Sequence, residues 1–254
     1  MAEKKKSWDV MDVLHEENVD KLYWMAINRV KDGKYDEAIS IIKNHIMLTP
    51  RILERYLKNK ELKPLINISK ATLCYYTMAL YIKAECNECI LKTIKLLAEQ
   101  VELSIAFERL LKGEDDNSKI KEMTKNLLKG LAKEHAYEFI LLISHMSDEI
   151  KEMYFNEIFN IAKFEFGESQ YMALNVLQGF INKKEVLDLF KFLASDWDKK
   201  VRRICLNALF LLKENEDIKQ LAKKLIKDET DETNAGILKL IIENNKNNGN
   251  IGGA

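Results

Sequence analysis

Apolar side chains recur at steps of three and four along almost the whole chain. Leu22, Met25, Ala26, Arg29 and Val30 fall on one side of a helix by this spacing, and so do Val201, Cys205, Ala208, Leu209 and Leu212. The pattern predicts helices throughout, broken at Lys31 to Gly33, Thr49-Pro50, Pro64, Asn67 to Ser69, Cys86-Asn87, Gly113 to Ser118 and Ser147-Asp148. Further breaks fall at Phe166 to Ser169, Lys183-Lys184, Asp196 to Asp198, Asn215 to Asp217 and Asp228 to Glu232. Ser7, Ser69, Ser118 and Ser147 are expected to cap helix starts, and Asp148-Glu149 adds carboxylates where the helix dipole favours them. Cys89 to Leu111 and Ala136 to Met146 are apolar on more than one face, which predicts a thick centre there.

About a dozen helices joined by short breaks suit either a globular bundle or a stack of helical hairpins, and internal repetition favours the stack. A shift of 32 residues aligns Leu189 with Leu221, Leu193 with Leu225, Asp196 with Asp228, Cys205 with Ile237 and Leu209 with Ile241. The same step backwards pairs Leu193 with Ile161, Cys205 with Ala173 and Leu209 with Leu177. Three like hairpins between about 148 and 244 in one register are what stacked units produce.

Leu193-Ala-Ser-Asp196-Trp-Asp-Lys-Lys-Val201-Arg202-Arg-Ile-Cys205-Leu-Asn-Ala208-Leu209 resembles a HEAT repeat. The resemblance implies a ladder between neighbouring repeats in which Arg202 bridges the turn aspartates Asp196 and Asp228. The following unit has Thr233-Asn234 where Val-Arg would stand, and the preceding one has Ser169-Gln170. A second resemblance lies at 19–52, where Ala26, Gly33, Tyr35, Ala38 and Pro50 are similar to one tetratricopeptide unit. The expected fold is therefore all-α, an α-α superhelix of stacked antiparallel hairpins. Its parts are an N-terminal and central region (1–147), HEAT-like repeats (148–244) and a disordered tail (245–254).

Composition narrows the function classes. Among 254 residues only 2 Pro and 9 Gly occur, too few for an all-β fold, and no Gly-rich phosphate loop of P-loop or Rossmann type is present. The 47% hydrophobic content suffices for a core, and 40 Lys+Arg against 40 Asp+Glu exert no global pull on nucleic acid or membrane. Cys74, Cys86, Cys89 and Cys205, with an N-terminus MAEKKKSWDV lacking an apolar run, predict a reduced, cytoplasmic protein without a cleaved signal. The stretch at 136–146 is too short and too polar, at Glu138 and His145, to span a membrane.

Cys86-Asn-Glu-Cys89 has the spacing with which two thiolates grip zinc or cycle through a disulfide. A structural zinc needs four ligands, there is no second such pair, and His15, His45, His135 and His145 do not gather around it. The expectation is two thiols near a helix joint, with Cys86 and Cys89 as weak metal candidates and no cofactor. Asp115-Asp116 and Asp231-Glu232 read as turn and cap residues, and no His-Glu-x-x-His, Glu-x-x-His or Gly-x-Ser-x-Gly motif appears.

From Lys183 to Lys227 twelve Lys/Arg face seven Asp/Glu. Two readings follow. In the first, the chain is a non-catalytic scaffold whose concave face takes a protein partner through Trp197, Lys199, Lys200 and Arg203. In the second, the basic stretch binds nucleic acid, as in the HEAT-like alkylpurine glycosylases that the Trp197 and Arg202-Arg203 region resembles. Successive helical residues point about 100° apart, so Val201 is expected in the core, Arg202 on the ladder and Arg203 away from both.

Overall fold

The structure, a computed structural model, describes residues 10–44, 50–58, 69–113 and 118–243. Ser7, His45, Pro64, Asp115-Asp116 and the tail from Asn244 lie outside the described residues, as does the side chain of His15. Among the described residues the chain is α-helical, with one 3₁₀ turn and no strand. The helices are α1 (Val10–Lys31), α2 (Tyr35–Asn44), α3 (Pro50–Lys58), α4 (Lys70–Lys83), α5 (Asn87–Leu97), α6 (Val101–Lys112), α7 (Ser118–Glu134) and α8 (Ala136–Ser144). After these come α9 (Asp148–Met153), α10 (Phe155–Phe164), α11 (Glu168–Leu177), α12 (Lys184–Leu193), α13 (Lys199–Phe210), α14 (Glu216–Leu225) and α15 (Glu232–Ile242). They form two compact units, Met1–Ile150 and Lys151–Ala254.

In the first unit α1 and α2 pack on one another across the turn at Gly33, whose φ of 72° favours glycine. Ala26 and Ala38 are both fully buried, and their small side chains permit close approach. The buried stripe of α1 is Tyr23, Ala26, Ile27 and Val30, while Met25, expected inside, is 42% exposed. Tyr23 is anchored in this orientation. Its hydroxyl lies 2.8 Å from Thr77 Oγ1 on α4, and Thr77 in turn donates to the Leu73 carbonyl.

The most enclosed helix is α4, which packs against α1, α2, α3, α5, α6 and α7. Ser69 caps its start by accepting from the Thr72 amide, and no charged residue stands between Lys70 and Lys83, so every face can be buried. The centre expected at 89–111 and 136–146 therefore also takes in α4, and the first stretch is buried on one side only. In that stretch Leu96, Val101 and Ile105 are exposed, whereas Phe139, Ile140, Leu142 and Ile143 of α8 are fully buried. Ser104 Oγ ties α6 to α8 by donating to the Leu142 carbonyl at 2.9 Å.

Ser147 does not cap α9, since its Oγ has no hydrogen-bond partner. Its amide instead donates to Glu108 Oε2 at 3.0 Å, and Lys112 donates to Oε1 of the same carboxylate. Burial works to raise the Glu108 carboxyl, but the bonds from Lys112 and Ser147 outweigh it and hold the group below its ordinary range.

Helix α4 ends in a Schellman motif. The Cys86 amide donates to the Tyr81 carbonyl and the Glu85 amide to the Ile82 carbonyl, which places Glu85 in the left-handed region at φ 54°. A side chain is strained there. Glu85→Gly is expected to raise stability by about 0.5 to 1 kcal/mol, the relief of strain exceeding the added entropy of the unfolded chain. A rise in the urea midpoint at constant slope checks this, and an unchanged midpoint contradicts it.

Cys86 and Cys89 are not two separate thiols: their sulfurs are joined in a disulfide, with Cα atoms 5.4 Å apart. The Schellman bonds place Cys86 directly before α5, and one helical turn brings Cys89 within bonding reach. Bonded sulfurs are not metal ligands, so the weak metal reading of this pair fails in this state. Among the described residues no three His, Cys, Asp or Glu side chains gather as a metal site. No helix among them is long and apolar enough to cross a membrane.

The second unit is built from successive helix pairs. α10 packs on α11, α12 on α13 and α14 on α15, and the second members also touch in order, α11 to α13 to α15. Val186, Phe190, Val201, Cys205, Leu206, Ala208, Leu209 and Ile218 are buried between them.

Candidate functional site

The turns that join the two helices of each pair, at 165–167, 194–198 and 226–231, hold every sequence-predicted site residue of this unit or adjoin it. The middle turn starts from Asp196, whose Oδ1 accepts the Asp198 amide at 2.8 Å, and Asp198 then caps α13 through the Lys200 amide. The third turn repeats this with Glu229, whose Oε1 accepts the Asp231 amide at 2.9 Å before Asp231 caps α15 through Asn234. Asp231 is thus the cap expected from its position.

Arg202 is the bridge between these turns, but not between the two expected aspartates. Its Nε and Nη2 donate to Glu229 Oε2 and Oε1, each at 2.7 Å, while Nη1 donates to the carbonyls of Asp196 and Trp197 at 2.9 and 3.1 Å. Asp196 therefore contributes its backbone, and Glu229 replaces Asp228. The cause is loop length. The segment 226–231 is one residue longer than 194–198, which moves the carboxylate that starts the cap from the position of Asp228 to the next. The Arg202 hydrogen bonds hold the Glu229 carboxyl below its ordinary value of 4.5 and raise the guanidinium further.

Arg203 does not point away from the neighbouring pair. Its Nη2 donates to Asp231 Oδ1 at 3.0 Å and its Nε to Asn234 Oδ1 at 3.3 Å, so it is a second strut beside Arg202. Asn234 is fully buried and also donates to the Lys199 carbonyl at 3.1 Å. Lys199 Nζ lies 3.9 Å from Asp231 Oδ2. Lys200 reaches backwards to Glu168 Oε1 at 2.9 Å and sits 4.1 Å above the ring of Tyr171. Tyr171 in turn donates to Asp198 Oδ2, a bond that pushes its phenol up to about 12, so the group stays protonated.

Both steps between pairs use one device, in which the first turn of a second helix grips the turn of the next pair. Tyr171 to Asp198 and Arg202 to Glu229 each span 27 residues. Sequence reasoning missed Glu229, Asp198 and Tyr171. The register of 32 hides them, because it aligns Gln170, Arg202 and Asn234, whereas counting from the caps Gly167, Asp198 and Asp231 aligns Tyr171 with Arg202.

Of the predicted contact residues, Lys199, Lys200 and Arg203 are therefore engaged between helix pairs. Trp197 is the one left outward, 80% exposed. Phe164, Phe166 and Phe192, at the same turn ends, are exposed as well. A cavity of about 590 Å³ adjoins Trp197's turn, lined among others by Lys191, Asp196, Arg202, Lys224, Asp228 and Glu229. Its charges are mixed. Ser195 Oγ, also on its wall, donates to the Phe192 carbonyl. Such a surface offers aromatic faces, amines and carboxylates to a polar, partly apolar ligand.

Five of the twelve cations of the basic stretch are neutralised in place. Lys183 pairs with Glu152 at 2.5 Å, Lys199, Lys200, Arg202 and Arg203 pair as above, and Lys219 is buried. The chain matches no protein-family model, no curated protein and no solved structure.

Proposed function

We propose that this protein is a non-catalytic helical-repeat scaffold whose second unit is a short HEAT-like superhelix, preceded by a tetratricopeptide-like hairpin, and that it captures a protein partner. The reading moves the contact surface from the concave face to the turn edge, around Phe166, Phe192 and Trp197. Trp197 carries it. Its indole is exposed while its carbonyl is pinned by Arg202, so a large aromatic group is presented from a rigid backbone at little entropic cost. The amines of Lys191 and Lys224 beside the cavity suit carboxylates on the partner.

Trp197→Ala is expected to leave the melting temperature within about 1 °C, as surface changes do, and to weaken partner capture at least about tenfold, the scale of a hot-spot aromatic. A photo-crosslinking residue at position 197, activated in the native cell and followed by mass spectrometry, should return a discrete protein. Recovery of nucleic acid instead, with duplex or single-stranded binding that fades as salt rises, favours the basic-stretch reading and overturns this one.

A further inference from the structure

We propose that Cys86 and Cys89 form a dithiol–disulfide exchange site in the first unit, with Cys86 as the sulfur that accepts an incoming thiol. This stands apart from the scaffold reading. It rests on three features of the α4–α5 joint.

The first is asymmetric access. Cys86 is half-buried, whereas Cys89 is only 8% exposed, so an external thiolate reaches the Cys86 sulfur first. The second is a backbone that does not depend on the disulfide. The Cys86 amide is held by Tyr81, and the Cys86 carbonyl accepts the Ile90 amide at 3.1 Å, so residue 86 closes α4 and opens α5 at once. These bonds persist when the sulfurs part, and the 5.4 Å separation of the Cα atoms keeps the pair ready to close again. The third is position. Cys86 is the N-cap of α5, with no side-chain cap bond, and Cys89 lies in the first turn, so a thiolate on either sulfur faces the amide end of an 11-residue helix.

The two remaining cysteines are unsuited to this chemistry. Cys74 is buried with its thiol pushed up to about 12, and burial likewise pushes the Cys205 thiol up. The reactive sulfur is thereby confined to one joint.

The exchange balances with a second thiol, of the glutathione or protein-cysteine class, as reductant. Its thiolate attacks Cys86 Sγ, the bond between the two sulfurs breaks, and the electron pair leaves on Cys89 Sγ, which takes a proton. A second thiolate then attacks the external sulfur of the mixed disulfide, and Cys86 departs and is protonated. Two external thiols become one external disulfide, and the protein gains two thiols. The reverse direction oxidises the pair.

The test uses the full chain without denaturant. Incubation with reduced glutathione or dithiothreitol, followed by alkylation and peptide mass spectrometry, should open the 86–89 pair while Cys74 and Cys205 stay unlabelled and the circular dichroism holds. Oxidised glutathione should close it again. In a brief iodoacetamide pulse on the reduced protein, Cys86 is expected to label about tenfold faster than Cys89. Cys89→Ser with oxidised glutathione should trap a mixed disulfide at Cys86, whereas Cys86→Ser should form one at Cys89 far more slowly. Reduction only on unfolding, or equal labelling of the two sulfurs in the wild-type pulse, overturns the proposal without reference to any variant.

Discussion

Arg202→Ala is expected to destabilise the second unit by about 1 to 3 kcal/mol, the cost of removing charged hydrogen bonds from a part-buried partner. The Glu229 side chain is 4% exposed and Arg202 15%, so the pair is well shielded from solvent in the native protein. The loss is also distributed: the bidentate pair to Glu229 goes, and so do the two bonds to the Asp196 and Trp197 carbonyls that fix the middle turn. Arg203→Ala removes a strut that is 39% exposed, and its effect on the melting temperature should be a fraction of the first. Chemical denaturation of the two variants side by side checks the order. Equal losses would place the ladder on both arginines.

The same pair sets an acid dependence. Glu229 and Asp198 have carboxyls held below their ordinary values of 4.5 and 3.8, the first by the Arg202 hydrogen bonds, the second by bonds from Tyr171 and the Lys200 and Val201 amides that outweigh its burial. A group lowered on folding binds fewer protons in the native state than in the unfolded one. Its contribution is therefore complete above the unfolded value and lost as pH falls through the folded one. Melting temperature should decline from about pH 4.5 downwards, and in Arg202→Ala that decline should be shallower, because the first cause of the Glu229 shift is gone. An identical slope in both proteins contradicts this assignment.

The helical character was legible because apolar side chains recur at three and four, and Val201, Cys205, Ala208 and Leu209 are buried as that spacing predicts. Finer rotation was not. Periodicity around Met25 and Ala26 is satisfied nearly as well one residue over, and long-range packing on α2 and α4, with the bond from Tyr23 to Thr77, goes with the observed stripe. The ladder was half legible for a similar reason. Arg202 stood out as a charge beside a core stripe, but its acceptor depends on the length of the 226–231 loop, which a register of 32 does not show. Gln170 and Asn234 looked like departures from a pattern of Val-Arg. Counted from the caps Gly167, Asp198 and Asp231 they hold the position of the buried Val201, as buried polar groups that each donate to a backbone carbonyl, and it is Tyr171 that stands where Arg202 does. The Cys86–Cys89 bond lay beyond sequence reasoning because spacing leaves zinc, thiols and disulfide all open. The α4 Schellman geometry is what brings the two residues together.

Val201→Asp is expected to have the largest effect, several kcal/mol or about 4 and above, enough to unfold a marginal repeat. Val201 is fully buried in the first turn of α13, the helix that packs against α11, α12 and α15, so any collapse there reaches all three pairs. The two arginines that follow cannot rescue the new carboxylate, because each already serves an acidic partner in the next turn and points off the core stripe. Volume and charge can be separated. Val201→Thr keeps the shape and replaces one methyl by a hydroxyl, and its cost should be about 1 to 3 kcal/mol, well below that of the aspartate. The carboxyl introduced by Val201→Asp is itself raised by burial, so its penalty should shrink as pH falls toward 4. Urea denaturation of both variants at neutral and acid pH reads these terms apart. If Val201→Asp is tolerated at neutral pH, Val201 is not at the centre of the stacked pairs, and the shared register of the second unit loses its physical basis.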